Sequence, residues 1–503
     1  MHAEPRRRWL VVVGMGPSTP SSGSALRRVV LAGALGLGLV AAALTLGPDD
    51  RVVAADRSQQ VTALPKARCD AGSRPEPGIA GRVPAADFAS GRAAKGYTCN
   101  TRLVGRTGTT GGFKVLRYRD ARGNTCAFYD AQRMFPLGLL EGGIQGVGTA
   151  VLDMNDPRKP RRTATLVTPG MLSPHESLLL HRGRGLLVAV TGNLLTAPGM
   201  LDVYDVKTDC RSPRLLSSTP AGILGHESGF SPDGKTFYAS AMVGYTITAV
   251  DLTNPRLPIP VTTIKGVLSH GVRTSPDGRT LYVADLGAPN AERLTAGGLR
   301  IFDVSEIQDR KPFPRAREIG AYTWPDLAIP QVPEPMRIKG REYVLMVDEF
   351  TELAFGPEIA TYDPTRPPAI ARLIDVTNPA RPFETSALRL QVHLPKNRRG
   401  PQRDDPGAQN LIGGYVAHYC SVPRYRNPKL VACSYIGSGL RVFDVRDPQR
   451  PREVAYFNRP GPEGGAALSA PAWDTAKRQL WYTDADTGFW AVRVSKKVWP
   501  RGL

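Results

Sequence analysis

Residues 439–457 read GLRVFDVRDPQRPREVAYF. The first part, Leu440–Val445, is rich in β-branched and aromatic side chains, which fit a pleated strand. Asp447-Pro448 then opens a turn, because Asp bonds its own backbone and Pro presets φ. Pro451 closes the turn, and Val454–Phe457 is apolar again. The stretch therefore reads strand, tight turn, strand.

The same phrase recurs along the chain. It appears as VLDMNDPRKP at 151–160, VYDVKTDCRSP at 203–213 and AVDLTNPRLP at 249–258. It returns as IFDVSE at 301–306, LIDVTNPARP at 373–382 and VFDVRDPQRP at 442–451. The repeated acid is Asp153, Asp205, Asp251, Asp303, Asp375 and Asp444, at spacings of 46 to 72 residues. A degenerate seventh copy, WAVRVSKK at 490–497, puts Arg493 in that slot. In the copy at 203–213, Cys210 replaces the first Pro of the turn.

A second hairpin lies ahead of the phrase. SPDG at 231–234 and 275–278 is an Asp-Gly turn leading into the alternating runs KTFYAS and RTLYVAD. One unit is thus strand a, turn, strand b, loop, strand c with the Asp, Pro turn, strand d. Four strands at a period near 50 residues make a propeller blade. Seven copies predict an all-β fold, a seven-bladed β-propeller of four-stranded antiparallel blades. Only nine residues follow Val494, too few for a last outer strand. The expectation is closure by an N-terminal strand, Gln59–Leu64, which removes an exposed edge. The first blade is then expected over Gly96–Pro169, on TRLVG (101–105), CAFYD (126–130) and TAVLDM (149–154).

The chain has 503 residues, 41% hydrophobic and 22% charged, so wholesale disorder is excluded. Val29–Leu46 is an uncharged apolar run preceded by Arg27 and Arg28 and followed by small residues at Val53–Ala55. That is the pattern of a secretory signal cut before Asp56, with an uncleaved membrane anchor through 29–46 as the rival reading. The expected organisation is residues 1–55 as signal or anchor, 56–95 as lead-in and closing strand, and 96–503 as propeller. The expected location is secreted or at the cell surface.

Six cysteines, Cys69, Cys99, Cys126, Cys210, Cys420 and Cys433, favour disulfides in an exported chain. Cys420 and Cys433 fall on adjacent strands of one blade. Cys99 and Cys126 hold comparable places in the expected first blade, which leaves Cys69 and Cys210 to pair by elimination. The formal charge is +20, and +17 without residues 1–55. An anionic cell-wall polymer is one partner class this charge fits, but the basic residues are scattered and carry no specific nucleic-acid motif.

The phrases, and GLRVFDVRDPQRPREVAYF above all, resemble the LVIVD-repeat family. TCNTRLVG (98–105), HESLLLHRGRGLLVA (175–189) and GHESGFSPDG (225–234) are similar to a secreted bacterial branch of it. The resemblance covers roughly 96–497 and implies a β-propeller; it implies no catalytic residue.

The chemistry-bearing candidates are histidines. His175, His226, His270 and His418 each lie 12 residues before the middle of a strand b, at Leu187, Tyr238, Tyr282 and Leu430. Glu334 takes the matching place in the unit that carries the insertion Phe350–Ile370. Equivalent starts of strand a ring the central channel, so these five side chains form a candidate site for a divalent metal ion. The competing reading is a structural clasp within each blade, to the Asp of strand c or to Ser177 and Ser228. Glu176 and Glu227 are expected to point away from the axis, by strand alternation. Asp348, Glu349 and Glu352 form an acidic cluster that reads as a solvated loop. His181 and His393 read as satisfied single residues. No G-x-S-x-G, P-loop, Rossmann or H-E-x-x-H motif is present.

Two functions fit this sequence. One is a ligand- or protein-binding module at the cell surface, with its ligand at the channel mouth. The other is a metal-dependent enzyme of oxidase or hydrolase type built on the histidine ring.

Overall fold

The computed structural model describes residues 61–503 except 133–145, 192–198, 222–224, 242–243, 290–293, 296, 325–328, 350–352, 355–360, 363, 366, 411–413 and 463. The apolar run 29–46 lies outside the described residues. Among the described residues, no helix is long and apolar enough to cross a membrane.

Seven antiparallel four-stranded units follow one another around a central axis. Blade one is Val115–Arg119, Thr125–Asp130, Thr149–Asp153 and Arg161–Leu166. Blades two to six run in the same a-b-c-d order and begin at Leu179, Gly229, Ser269, Pro330 and Ala417. Blade seven is Ala472–Asp474, Gln479–Asp484, Gly488–Val494 and, as its outer strand, Thr101–Thr107. The second strand of a blade is buried on both faces, because blades flank it on either side. Leu186–Val190, Thr236–Ala241 and Leu430–Tyr435 are accordingly buried at every residue, with only Thr236, Ser240 and Ser434 polar among otherwise apolar or aromatic side chains. Side chains such as Tyr238, Ile247, Val272, Leu281 and Phe302 fill the seam between blades three and four. Burial of each large side chain of this kind stabilises the fold by about 1.5–3 kcal/mol.

The repeated Asp is turn chemistry. Each ends strand c and accepts the main-chain N–H two residues on, at 2.7–3.1 Å, from Asn155, Lys207, Thr253, Ser305, Thr377 and Arg446. The Pro turns then dock on the outer strand of the preceding blade. Ser217 Oγ donates to the Pro255 carbonyl at 2.8 Å, and Ser386 Oγ to the Pro448 carbonyl at 2.6 Å. At two other seams glycine permits a closer approach: a β-carbon on Gly105 would meet the Pro157 carbonyl at 2.3 Å, and one on Gly320 the Pro379 carbonyl at 1.8 Å.

Two expectations are corrected. TRLVG is not an inner strand of blade one; it lies in the outer strand of blade seven, with Thr101 opposite Val494 and Thr107 opposite Phe489. Strand a of blade one is Val115–Arg119. Tyr97–Cys99, just before, is a fifth strand on the edge of blade six. The outer position of blade seven is thereby filled, and the expected strand at 59–64 does not occupy it. Residues 59 and 60 lie outside the described residues, and Leu64 N–H donates instead to the Arg389 carbonyl. The lead-in packs on blades five and six: Glu76 shares the buried Arg441 guanidinium with Glu453, and Arg82 pairs with Asp405 at 2.6 Å.

The disulfides follow from this threading. They are Cys69–Cys99, Cys126–Cys210 and Cys420–Cys433. Only the last matches the sequence expectation, since Cys420 and Cys433 are directly opposed on neighbouring strands. Cys99 rides on blade six, out of reach of Cys126 in blade one. All six cysteines are paired, as suits an oxidising, extracellular type of environment.

Candidate metal centre

Strand a of blades four, five and six starts with the same irregularity. The ladder skips one residue, so that His270, Gln331 and His418 each sit at a bulge between paired neighbours. A bulge re-aims the side chain it carries. These three side chains are aimed at the axis, where His226 of blade three and His175 of blade two join them. The rings follow one another around the mouth: Phe113 to His175 at 4.1 Å between centroids, His175 to His226 at 4.7 Å, His226 to His270 at 4.5 Å, and Phe113 to His418 at 5.5 Å.

Two carboxylates complete the cluster. Glu176 Oε2 lies 2.9 Å from His226 Nε2 and 3.3 Å from His270 Nε2, and its Oε1 accepts from Gln331 Nε2 at 2.9 Å. Glu349 stands 2.9 Å from His418 Nε2 and 3.3 Å from His270 Nε2. Glu176 is 1% exposed and Glu349 4%. Glu176 was expected to face away, on the alternation of an extended strand. It lies instead in a one-turn 3-10 helix, His175–Ser177, which His175 enters with φ of 50°. That turn lets both neighbours face the axis. Glu349 lies just beyond the end of strand b, so the acidic cluster is not a solvated loop at this residue. Asp348 turns away to Arg372 at 2.6 Å, and Glu352 lies outside the described residues.

Glu334 does not join the ring. The bulge in blade five falls at Gln331, three residues earlier, and Glu334 bonds Arg273 at 3.1 Å in the layer below. That layer is a charged plug in the channel. Glu227 is buried between Lys114 at 2.7 Å and Arg273 at 2.6 Å, and accepts the Tyr419 hydroxyl. Burial brings the Lys114 ammonium down to about 8, against the pull of Glu227.

The histidines are not clasps within their blades. His270 Nδ1 bonds the Pro330 carbonyl at 3.0 Å, and His418 Nδ1 bonds the Leu468 carbonyl at 2.6 Å, each in the segment leading into the next blade. The repeated Asp lies at the opposite end of its blade: Asp303 pairs with Thr280 at the start of strand b, whereas Ser269, next to His270, pairs with Asp285 at its end. Ser177 and Ser228 bond main-chain carbonyls. Burial opposes charge on His270, but Glu349 and Glu176 push it up to about 9. The same contest, led on the favourable side by Glu349, raises His418. Burial works against ionised Glu176 too, yet His226 and His270 hold it well below the usual carboxyl range. His175 is pulled down to about 3, by burial first and then by His226.

His181 and His393 are satisfied elsewhere, as expected. His181 Nε2 meets the Pro232 carbonyl at 2.9 Å. His393 is held by Leu390 N–H and the Tyr415 carbonyl.

No family model and no curated protein matches the chain. Among solved structures it is similar to a periplasmic gluconolactonase of Pseudomonas aeruginosa, at 13% identity over 69% of this chain and 95% of that one, with a TM-score of 0.46. A putative 6-phosphogluconolactonase of Bacteroides fragilis is similar at 12% identity over 71% and 93%, with a TM-score of 0.42. Raptor of Chaetomium thermophilum is similar at 10% identity over 81% and 30%, with a TM-score of 0.47.

Proposed function

We propose that this chain is an exported, metal-dependent enzyme whose centre lies at one mouth of the propeller channel. The ligands are His175, His226, His270, His418, Glu176 and Glu349. The observation that carries the reading is the fixing of two imidazoles through Nδ1. His270 and His418 each give Nδ1–H to a main-chain carbonyl, which leaves Nε2 facing two buried carboxylates. That outer bond sets the tautomer a metal-ligating histidine needs. A set of imidazole and carboxylate donors without thiolate suits Zn and its transition-metal neighbours. Such an ion supplies Lewis acidity and lowers the pKa of bound water. Whether the chemistry is of hydrolase or oxidase type follows from the ion. The apolar run 29–46 and the three disulfides support export, and the six Asp phrases support membership of the LVIVD-repeat family.

One observation favours a second reading, the non-catalytic binding module. The His–Glu pairs also satisfy one another, so the cluster could serve as a polar plug under a ligand or protein bound at the mouth. Elemental analysis of the purified chain and of a His226→Ala/His270→Ala variant separates the two. A stoichiometric transition metal, lost in the variant, is expected. A metal-free wild-type chain that stays metal-free after incubation with Zn or Cu would leave only the binding module.

A further inference from the structure

We infer that the channel mouth holds two divalent cations, with the Glu176 carboxylate shared between them. This rests on the metal-centre reading above and sets its nuclearity. The donor atoms fall into two groups, His175 with Glu176 and His226, and Glu176 with Glu349 and His418. Within each group all ligand atoms lie within 4.8 Å of one another. Glu176 is the one residue common to both. An ion bonded at about 2.1 Å to nitrogen and oxygen needs its donors within about 4.2 Å of each other. No one group of mutually close donor atoms contains both His226 and His418, so the two groups are assigned to two adjacent positions that meet at Glu176.

The remaining side chains fit a pair. His270 Nε2 is 3.3 Å from both Glu176 and Glu349, so it faces the space between the groups. Gln331 Nε2 holds Glu176 Oε1 at 2.9 Å and fixes the plane of the bridging carboxylate. Held by these groups, a pair of divalent ions would supply the Lewis acidity that activates water for displacement at ester or phosphoester centres. With the redox-inert Zn in both positions this is chemistry of the hydrolase class.

Zinc binding to the full-length chain, stripped with chelator and retitrated with Zn2+ alone, tests the inference. Two equivalents retained after desalting are expected. His226→Ala should retain one, through Glu176, Glu349 and His418. Glu349→Gln should also retain one, through His175, Glu176 and His226. One equivalent in the wild type, abolished by both variants, would overturn the pair while leaving a metal centre intact. No retained zinc would sink the metal centre itself. Should either variant fail to fold by circular dichroism, Mn2+-loaded wild type decides the matter. An exchange-coupled electron paramagnetic resonance spectrum is expected, and isolated six-line signals alone would refute the bridge.

Discussion

Cys210 stands in the turn slot that is proline in four other copies of the phrase, and its sulfur is bonded to Cys126 in strand b of the preceding blade. Elsewhere that turn docks backwards through a proline carbonyl, as Pro255 does on Ser217. At this seam the same docking is covalent. The link closes a loop with a sequence separation of 84, against 13 for Cys420–Cys433. On loop-closure entropy the long loop is worth about 4.5 kcal/mol and the short one about 3 kcal/mol. Cys126→Ser/Cys210→Ser should therefore lower the unfolding free energy more than Cys420→Ser/Cys433→Ser. Denaturant titrations of the two variants check the order, and a reversed order would mean that packing alone holds blades one and two together.

Gly320 tests the docking of the turns from another side. A β-carbon there would fall 1.8 Å from the Pro379 carbonyl, so alanine forces the outer strand of blade four away from the turn of blade five. Overpacking of this kind costs about 1–3 kcal/mol. Gly320→Ala should lower the melting temperature, whereas Gly340→Ala, with nothing within 4 Å, should show only the strain of its positive φ. Equal melting temperatures for Gly320→Ala and wild type would remove the proposed interblade contact.

The blade count, the strand order and the place of four histidines were legible because they are periodic. Asp303 and Asp444 repeat a local turn, and a local turn is written in local sequence. What was not legible depended on single departures from the repeat. Glu334 follows from counting back as if the first hairpin of blade five were one residue short, whereas that hairpin is longer: Glu334 stands opposite Leu345 as Arg273 stands opposite Tyr282, and the ring position falls at Gln331. Glu176 faces the axis because His175 enters a tight turn with positive φ, which no alternation rule anticipates. Glu349 sits in a loop whose neighbours give no pattern. The Cys210 pairing, by contrast, had a signal: a cysteine in the slot of a docking proline points to the preceding blade.

His393 makes stability depend on pH away from the channel. Its Nδ1 accepts Leu390 N–H and its Nε2–H donates to the Tyr415 carbonyl at 2.8 Å, so the folded ring is neutral. Burial pulls it down to about 3. The unfolded ring takes up a proton near pH 6.5, so this contribution is complete above that value. It declines by about 1.4 kcal/mol per pH unit as the pH falls toward 3. Between about pH 7 and pH 5 the wild-type chain should lose about 2 kcal/mol more than His393→Gln. Denaturant unfolding of both proteins at the two pH values measures the difference, and parallel losses would show that the ring protonates freely in the folded chain.

Gln331 separates a residue that positions a ligand from one that is a ligand. Its amide reaches Glu176 Oε1 at 2.9 Å from the bulge that carries histidine in the blades on either side. An amide is a poor partner for a transition metal beside imidazoles and carboxylates, but it is a good donor to a carboxylate whose other oxygen faces the histidines. Replacing it with leucine keeps the buried volume and removes the bond, so Glu176 is free to rotate while all six proposed ligands remain. Loss of an outer-shell partner typically weakens metal binding about 10–100-fold. Gln331→Leu should thus bind the same number of zinc equivalents as wild type at reduced affinity, read by competition with a chromophoric chelator. An unchanged affinity would mean that Glu176 is held by His226 and His270 alone, and a reduced stoichiometry would make Gln331 a ligand in its own right.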